Sequence, residues 1–331
     1  MELVCPAGNL PSLKVAVKAG ADAVYMGLQN ATNARHFAGL NFTEKQMTQG
    51  IEFAQSRGCK VFLAVNTYPY CHDLPTWQQA VDTAAELKVD ALILADMGVM
   101  DYACEKHPDL NIHLSVQGSA TSAAAVNFFA EQFNIKRAVI PRVLSIKQVA
   151  HLVNNSLVPI EVFGFGSLCV MVEGRCLLSS YATGLGPNNH GACSPAEFVE
   201  WKNTDSHLET RLNGILIDQV AKDESVGYPV ICKGRYQVND QIGYAIEEPT
   251  SLNTLSILAE LKAIGVAAVK VEGRQRSPAY VRQVTEVMRA AIDDCLTRPD
   301  KYVVKDSWNQ TLGDLSEGQQ TTLGAYYRNW Q

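Results

Sequence analysis

The sequence predicts an α/β fold: a (β/α)8 TIM-like barrel, or a close variant, with a cysteine-bearing insertion between its seventh and eighth strands. Three observations lead there. Short runs rich in Val, Ile and Leu alternate with segments of helical period, the pattern of parallel strands buried on both faces by crossover helices. Eight such runs occur, the number that closes a barrel. About a hundred residues separate the seventh run from the eighth, far beyond an ordinary connection, and four cysteines fall at or inside that interval.

Taken in order, strands are expected near residues 3–5, 23–26, 61–65, 91–95, 112–116, 138–140, 160–163 and 268–271. Helices are expected over 11–19, 43–56, 77–87, 145–153 and 278–295. In the first, Leu13 and Val17 stand four apart and share a face; the second opens on the start signal Thr43-Glu44. Residues 1–297 are read as one barrel, with the insertion at about 164–245. The stretch 184–190, rich in Gly, Pro and Asn, makes poor helix and needs another constraint to be ordered, which bound metal can supply. Residues 298–331 form a tail expected to pack on the body or on a partner, because Trp308, Tyr326, Tyr327 and Trp330 are poorly suited to water.

An apolar fraction of 47% and a net charge of −6 fit a soluble globular chain. The acidic balance argues against nucleic acid as the main partner, since phosphate binding shows as a basic field. No run of roughly 18 apolar residues occurs, so a membrane span is not expected. Nine cysteines behind an opening that has neither a basic n-region nor an apolar h-region point to a reducing, cytoplasmic compartment.

The four singled-out cysteines are Cys169, Cys176, Cys193 and Cys232, with six, sixteen and thirty-eight residues between them. They are not the paired CxxC knuckles of a zinc ribbon. Packing as small buried hydrophobes is one alternative. Against it, each sits beside glycine, charge or proline: Gly166-Ser-Leu-Cys169, Glu173-Gly-Arg-Cys176, Cys193-Ser-Pro195 and Cys232-Lys-Gly234. Glycine lets backbone amides approach sulfur, and Arg175 and Lys233 favour the thiolate. The residues alone leave packing, zinc and iron-sulfur open, with iron-sulfur ahead of zinc.

The run Glu161-Val-Phe-Gly-Phe-Gly-Ser-Leu-Cys169-Val-Met-Val-Glu-Gly-Arg-Cys176-Leu-Leu-Ser179 resembles the signature of peptidase family U32, the collagenase-like proteins. The opening Cys5-Pro-Ala-Gly-Asn9 and Lys270-Val-Glu-Gly-Arg274 resemble it too. Residues 33–42, 191–196, 248–254 and 320–326 are similar to a branch of the family that serves oxygen-independent ubiquinone biosynthesis. The resemblance implies that Cys169, Cys176, Cys193 and Cys232 hold a 4Fe-4S cluster. It implies a heterodimer with a UbiV-like paralogue that hydroxylates the ring of a lipid quinone precursor without dioxygen. It also implies prephenate as hydroxyl donor, as in family members that hydroxylate RNA. RNA base hydroxylation and a non-catalytic, cluster-bearing scaffold are the alternatives. Peptidase activity is not expected: HExxH and Gly-x-Ser-x-Gly are absent, and the cysteines best placed for attack are assigned to metal.

Chemistry in such barrels sits at the C-terminal ends of the strands. That selects Arg35 and His36 in the loop after the second strand, Asn66, Asp96, Gln117 and Arg142 after the third to sixth, and Glu272 with Arg274 after the eighth. Two arginines at one mouth suit a dicarboxylate such as prephenate, because a guanidinium grips a carboxylate with two parallel hydrogen bonds. The alternative is a buried structural ion pair between Arg142 and Glu272 or Asp96. His107 and His113 are expected to be structural or surface residues, and Cys5 a packed core thiol. Gly164, Gly166 and Gly174 do not match a phosphate loop and are expected to bend the backbone around the cluster. Phe128, Phe129 and Phe133 suit either an apolar entrance for a polyprenyl tail or core packing; a lipid carrier protein is the other route of delivery.

Overall fold

The computed structural model describes residues 1–37, 39–224 and 226–328. Strands β1 (Glu2–Pro6), β2 (Ala23–Gly27), β3 (Lys60–Val65), β4 (Ala91–Leu94), β5 (Ile112–Leu114), β6 (Arg137–Val139) and β7 (Ile160–Ser167) pair in parallel in chain order. The insertion follows. In it β8 (Val199–Asn203), β9 (His207–Leu212) and β10 (Ile215–Ala221) make an antiparallel sheet, and β11 (Arg235–Val238) with β12 (Gln241–Tyr244) a hairpin. β13 (Ser251–Asn253) then runs antiparallel to the end of β7. β14 (Ala268–Val271) pairs in parallel with both β7 and β1, which closes the barrel.

Helices α1 (Leu10–Lys18), α2 (Glu44–Gln55), α3 (Leu74–Glu86), α4 (Met97–Lys106), α5 (Ala123–Phe133) and α6 (Ile146–Asn155) follow the first six strands. α7 (Leu178–Thr183) lies in the insertion, α8 (Leu258–Ala263) before β14, α9 (Pro278–Thr297) after it, and α10 (Asp306–Asp314) in the tail. Local chemistry sets the helix starts. Thr43 and Ser145 each form a capping box with the glutamine three residues on, and Asn9, Asp96, Ser122 and Ser277 cap with one side-chain acceptor each.

Alternation along the strands divides the core in two. Val4, Ala23, Tyr25, Phe62, Ala64, Ala91, Ile93 and Ala268 fill the barrel, while their neighbours Leu3, Cys5, Val24, Leu63 and Leu92 face the helices. Cys5 is fully buried, accepts from the Thr285 hydroxyl at 3.3 Å, and has its thiol pushed up to about 12 by burial, as expected of a core thiol. A polar string crosses the interior: Lys270 Nζ meets Glu161 at 2.9 Å, and Arg137 bridges Glu161 at 3.1 Å and Glu2 at 2.5 Å. His113 lies beside it with its ring 4.7 Å from Phe62, and burial pushes its pKa down to about 3.

That histidine makes stability depend on pH. The unfolded chain takes up the proton near pH 6.5 and the folded one only near 3, so stability falls as pH drops below about 6.5. At pH 5 the loss is about 2 kcal/mol. Urea unfolding of His113→Gln should lack this component between pH 7 and 5; an unchanged slope would assign the acid sensitivity elsewhere.

The insertion builds strands β8 to β12, which the sequence reading did not mark. In the tail, α10 packs on α9, Trp308 and Tyr326 are buried, and the Tyr326 hydroxyl donates to the Phe163 carbonyl at 3.2 Å. Tyr327 does not pack as expected: it is 58% exposed and only its hydroxyl is engaged, by the Glu260 carboxylate. Trp330 lies outside the described residues. Phe128, Phe129 and Phe133 cluster on α5, Phe128 edge-to-face with the other two rings, and none of them lines the mouth cavity, so they are not its entrance. Among the described residues, no helix is long and apolar enough to cross a membrane.

Candidate functional site

A cavity of about 140 Å³ opens at the C-terminal mouth of the barrel, floored by strand ends and roofed by the insertion. Of the strand-end candidates, Arg35, Asn66, Gln117, Arg142, Glu272 and Arg274 all line it. Two do not. Asp96 is the N-cap of α4, its carboxylate accepting from Val99 N at 3.0 Å, so it serves the helix and not the cavity. His36 lies outside the lining; burial and the neighbouring His190 lower its pKa.

The ion pairs differ from the alternatives the sequence left open. Arg142 pairs neither with Glu272 nor with Asp96. Its Nε donates to Glu173 at 2.7 Å, its Nη1 donates to the Ser167 carbonyl, and its guanidinium lies 4.3 Å over the Phe163 ring. Burial opposes its charge, but Glu173 and its other neighbours outweigh that and raise its pKa. Glu272 instead faces Arg35 at 3.4 Å and accepts from Ser167 N at 3.3 Å. Burial would raise its pKa; Arg35, Arg142 and Arg276 overcome this and hold its carboxyl below the usual range. Glu272 therefore adds stability above an unfolded pKa near 4.5, and that contribution is lost as pH falls through its lower folded value.

Arg274 is different. It is 4% exposed, and its Nη1 donates to Asn33 at 2.9 Å and Asn41 at 3.4 Å, both neutral amides. Among the described residues no carboxylate lies within salt-bridge distance of it. Burial pushes its pKa down to about 10. A guanidinium in this position is a desolvated cation whose charge is left for whatever enters the cavity.

All four cysteines line the same cavity from the insertion side, each partly exposed and unpaired. Cys169 follows β7; Cys176 closes the next loop, its carbonyl accepting from Asn188 Nδ2 at 3.0 Å; Cys193 and Cys232 come from later loops. Burial pushes Cys169 and Cys232 up to about 12 and raises Cys176, and Cys193 raises all three further. Bare thiolates are thus disfavoured here, and only a strongly cationic centre would hold them ionised together. Among the described residues no three acidic, His or Cys side chains close around a single ion. Thiolates around one tetrahedral zinc would lie about 3.8 Å apart, given Zn–S near 2.3 Å. Cys169, Cys176, Cys193 and Cys232 are the side chains of this wall that could hold a thiolate-ligated metal centre.

The flanking residues hold this wall in place. Gly174 has φ +88°, and a Cβ there would sit 2.0 Å from the Gln117 carbonyl, so only glycine lets the Cys176 loop close on the mouth. Gly164 does something other than bend around the cysteines: a Cβ would meet Val269 at 2.1 Å, so it lets β7 pack against β14. Lys233, next to Cys232, pairs with Glu317 of the tail and reaches Ser167 Oγ at 3.1 Å, while Arg276 holds the other Glu317 oxygen at 3.4 Å. Glu317→Ala should speed amide exchange at residues 233 and 234 by about tenfold through local opening; unchanged protection would mean the tail does not fasten the Cys232 loop.

Sequence reasoning missed Glu173, Lys270 and Tyr25 as cavity residues. Lys270 carried a signal, a lone cation in the apolar strand Ala-Val-Lys-Val. Glu173 lies within the Cys169–Cys176 loop and is 7% exposed, but nothing local showed that it would meet Arg142, 31 residues away.

The profile of peptidase family U32 matches residues 8–329. Among curated relatives, an uncharacterized protease of Methanocaldococcus jannaschii is 33% identical over 89% of this chain and 66% of its own length. The tRNA hydroxylation protein P of Helicobacter pylori is 31% identical, over 89% of this chain and 65% of its own. The tRNA hydroxylation protein P2 of Bacillus subtilis is 26% identical, over 95% and 92%. The chain thus spans about two thirds of the length of the first two and nearly all of the third.

Proposed function

We propose that this chain, which belongs to peptidase family U32, is the iron-sulfur subunit of an oxygen-independent hydroxylase. The observation that carries the proposal is that four cysteines spread over 64 residues of sequence line one wall of a barrel-mouth cavity whose floor holds Arg274 without a carboxylate. Hydroxylation is the activity named for two of the relatives. A 4Fe-4S cluster on Cys169, Cys176, Cys193 and Cys232 would supply one-electron chemistry or a site for an oxygenated donor. The chain's own residues do the rest. Arg274 and Arg35 bind the carboxylates of an acidic donor, prephenate in this reading, and the insertion roofs the cavity against water.

The acceptor we favour is the ring of a lipid quinone precursor in ubiquinone biosynthesis, with a UbiV-like paralogue as the second subunit. The cavity walls are rich in apolar side chains such as Ile93, Val139, Phe163 and Ile231. Next to the lining residue Leu178, Leu177 before α7 and Tyr181 on it stand exposed, an apolar rim that suits a polyprenyl tail. The net charge of −6 fits a neutral ring better than a polyanion. The names of the relatives favour a second reading, hydroxylation of a tRNA base. Proteolysis finds no support in the cavity: among the described residues no histidine lines it, and burial pushes the Cys169 and Cys232 thiols away from the nucleophilic form.

Anaerobic co-purification with the paralogue, iron and sulfide counts, and an absorption or paramagnetic spectrum test the cluster. Four irons per chain are expected, and zinc alone would overturn the redox reading. Supplying prephenate with either the quinone precursor or tRNA then separates the acceptors by which product gains oxygen.

A further inference from the structure

Three residues that line the cavity each carry a buried polar atom with no partner among the described residues: Glu173 Oε2, Asn188 Oδ1 and Ser179 Oγ. Their residues all belong to the insertion, whereas Arg274 follows the last barrel strand. Glu173 is more than nine-tenths buried, and its other oxygen is occupied by Arg142 at 2.7 Å. Asn188 Nδ2 donates to the Cys176 carbonyl at 3.0 Å, while its oxygen accepts from no donor among the described residues. A buried acceptor without a donor costs on the order of 1–3 kcal/mol, more when charged, so such a group calls for a ligand that satisfies it.

We infer that Glu173, with Asn188 and Ser179 beside it, is the seat for a hydroxyl on the acidic donor, so that the ligand lies with its carboxylate on Arg274 and its hydroxyl against the cysteine-bearing wall. This rests on the donor reading given above and adds the orientation and the residues that set it. Charge decides which donor group fits. Arg142 already neutralises Glu173, so the free oxygen favours a neutral O–H over a second cation such as an ammonium. The cavity lining therefore presents complementary demands: a cation without an anion in Arg274, and acceptors without a donor in the insertion. One molecule carrying a carboxylate and a hydroxyl at opposite ends of a ring answers both. Glu173 is here a positioning residue that also selects hydroxylated acids over plain ones.

The test compares cis-4-hydroxycyclohexanecarboxylate with cyclohexanecarboxylate, bound to the anaerobically purified protein and followed by calorimetry or ligand-observed NMR. Wild type should prefer the hydroxy acid by about tenfold or more, the range for a hydrogen bond to a charged acceptor. Glu173→Gln, which keeps the size and the contact with Arg142 but removes the charged acceptor, should cut that preference at least fivefold and leave the plain acid's affinity unchanged. Arg274→Gln should weaken both acids equally. If wild type binds both acids alike, or Glu173→Gln keeps the full preference, the hydroxyl seat is wrong while the acid site stands. If neither acid binds saturably to wild type, both the seat and the donor reading fall. Iron content and the circular dichroism of each variant, matched to wild type, exclude loss of fold as the cause.

Discussion

Cys176→Ala is expected to lose the iron, the visible absorption and the hydroxylation together, and to expose the insertion to protease while the barrel stays folded. The physical reason is the distribution of core. The barrel has a continuous apolar core between strands and helices, whereas much of the insertion's side-chain surface, including Trp201, Ile242 and Tyr244, is exposed. Ligand bonds to a metal centre carry free energies on the order of 10 kcal/mol in small sites, enough to decide whether the cysteine loops are ordered. The insertion's antiparallel sheet and hairpin should persist, because their ladders are independent of the thiols. Cleavage is therefore expected in the loops around residues 169–195 and 226–234. Limited proteolysis with mass mapping checks this. Cleavage spread evenly over barrel and insertion would mean the thiols support the whole fold, and full retention of iron would remove Cys176 from the ligand set.

The same contrast explains what the sequence disclosed. Barrel strands are buried on both faces, so each is a nearly unbroken apolar run, and the eighth appears at Ala268–Val271 as expected from 268–271. β8 and β12 are mostly exposed, and their sequences Val-Glu-Trp-Lys-Asn and Gln-Ile-Gly-Tyr carry too little alternation to declare themselves. α5 was hidden for the opposite reason: Ala-Ala-Ala-Val-Asn-Phe-Phe-Ala-Glu-Gln-Phe is apolar nearly all round, which blurs its period. In the site, the rule that strand ends carry chemistry found Asn66, Gln117, Arg142, Glu272 and Arg274 because the barrel geometry fixes where those positions point. It failed at Asp96, since an aspartate after a strand is equally the best cap for the next helix, and nothing in the sequence separates the two uses. It could not choose among pairings either. Arg142 took Glu173 and Arg35 took Glu272 because of how the insertion folds back over the mouth.

Arg274→Gln is expected to move stability and activity in opposite directions. In the folded chain the guanidinium is almost wholly desolvated, its pKa is depressed to about 10, and its two amide partners return only part of what hydration supplied. Replacing it with a neutral amide that can still donate to Asn33 removes that cost, so the unfolding midpoint should stay level or rise by a few degrees, as happens when function-related strain is relieved. The acidic donor, by contrast, would lose the cation that neutralises its carboxylate in the cavity. Truncating one side of such a contact costs about 2–5 kcal/mol, a fall in kcat/KM between about thirtyfold and a few thousandfold, with the effect largely in KM for the acid. Arg142→Gln should behave differently: it leaves Glu173 a buried, uncompensated carboxylate and should lower both stability and activity. Thermal unfolding and kinetics on the two variants, with iron content matched, decide the matter. If Arg274→Gln loses stability as Arg142→Gln does, Arg274 is an anchor of the fold and not the seat of the donor's carboxylate.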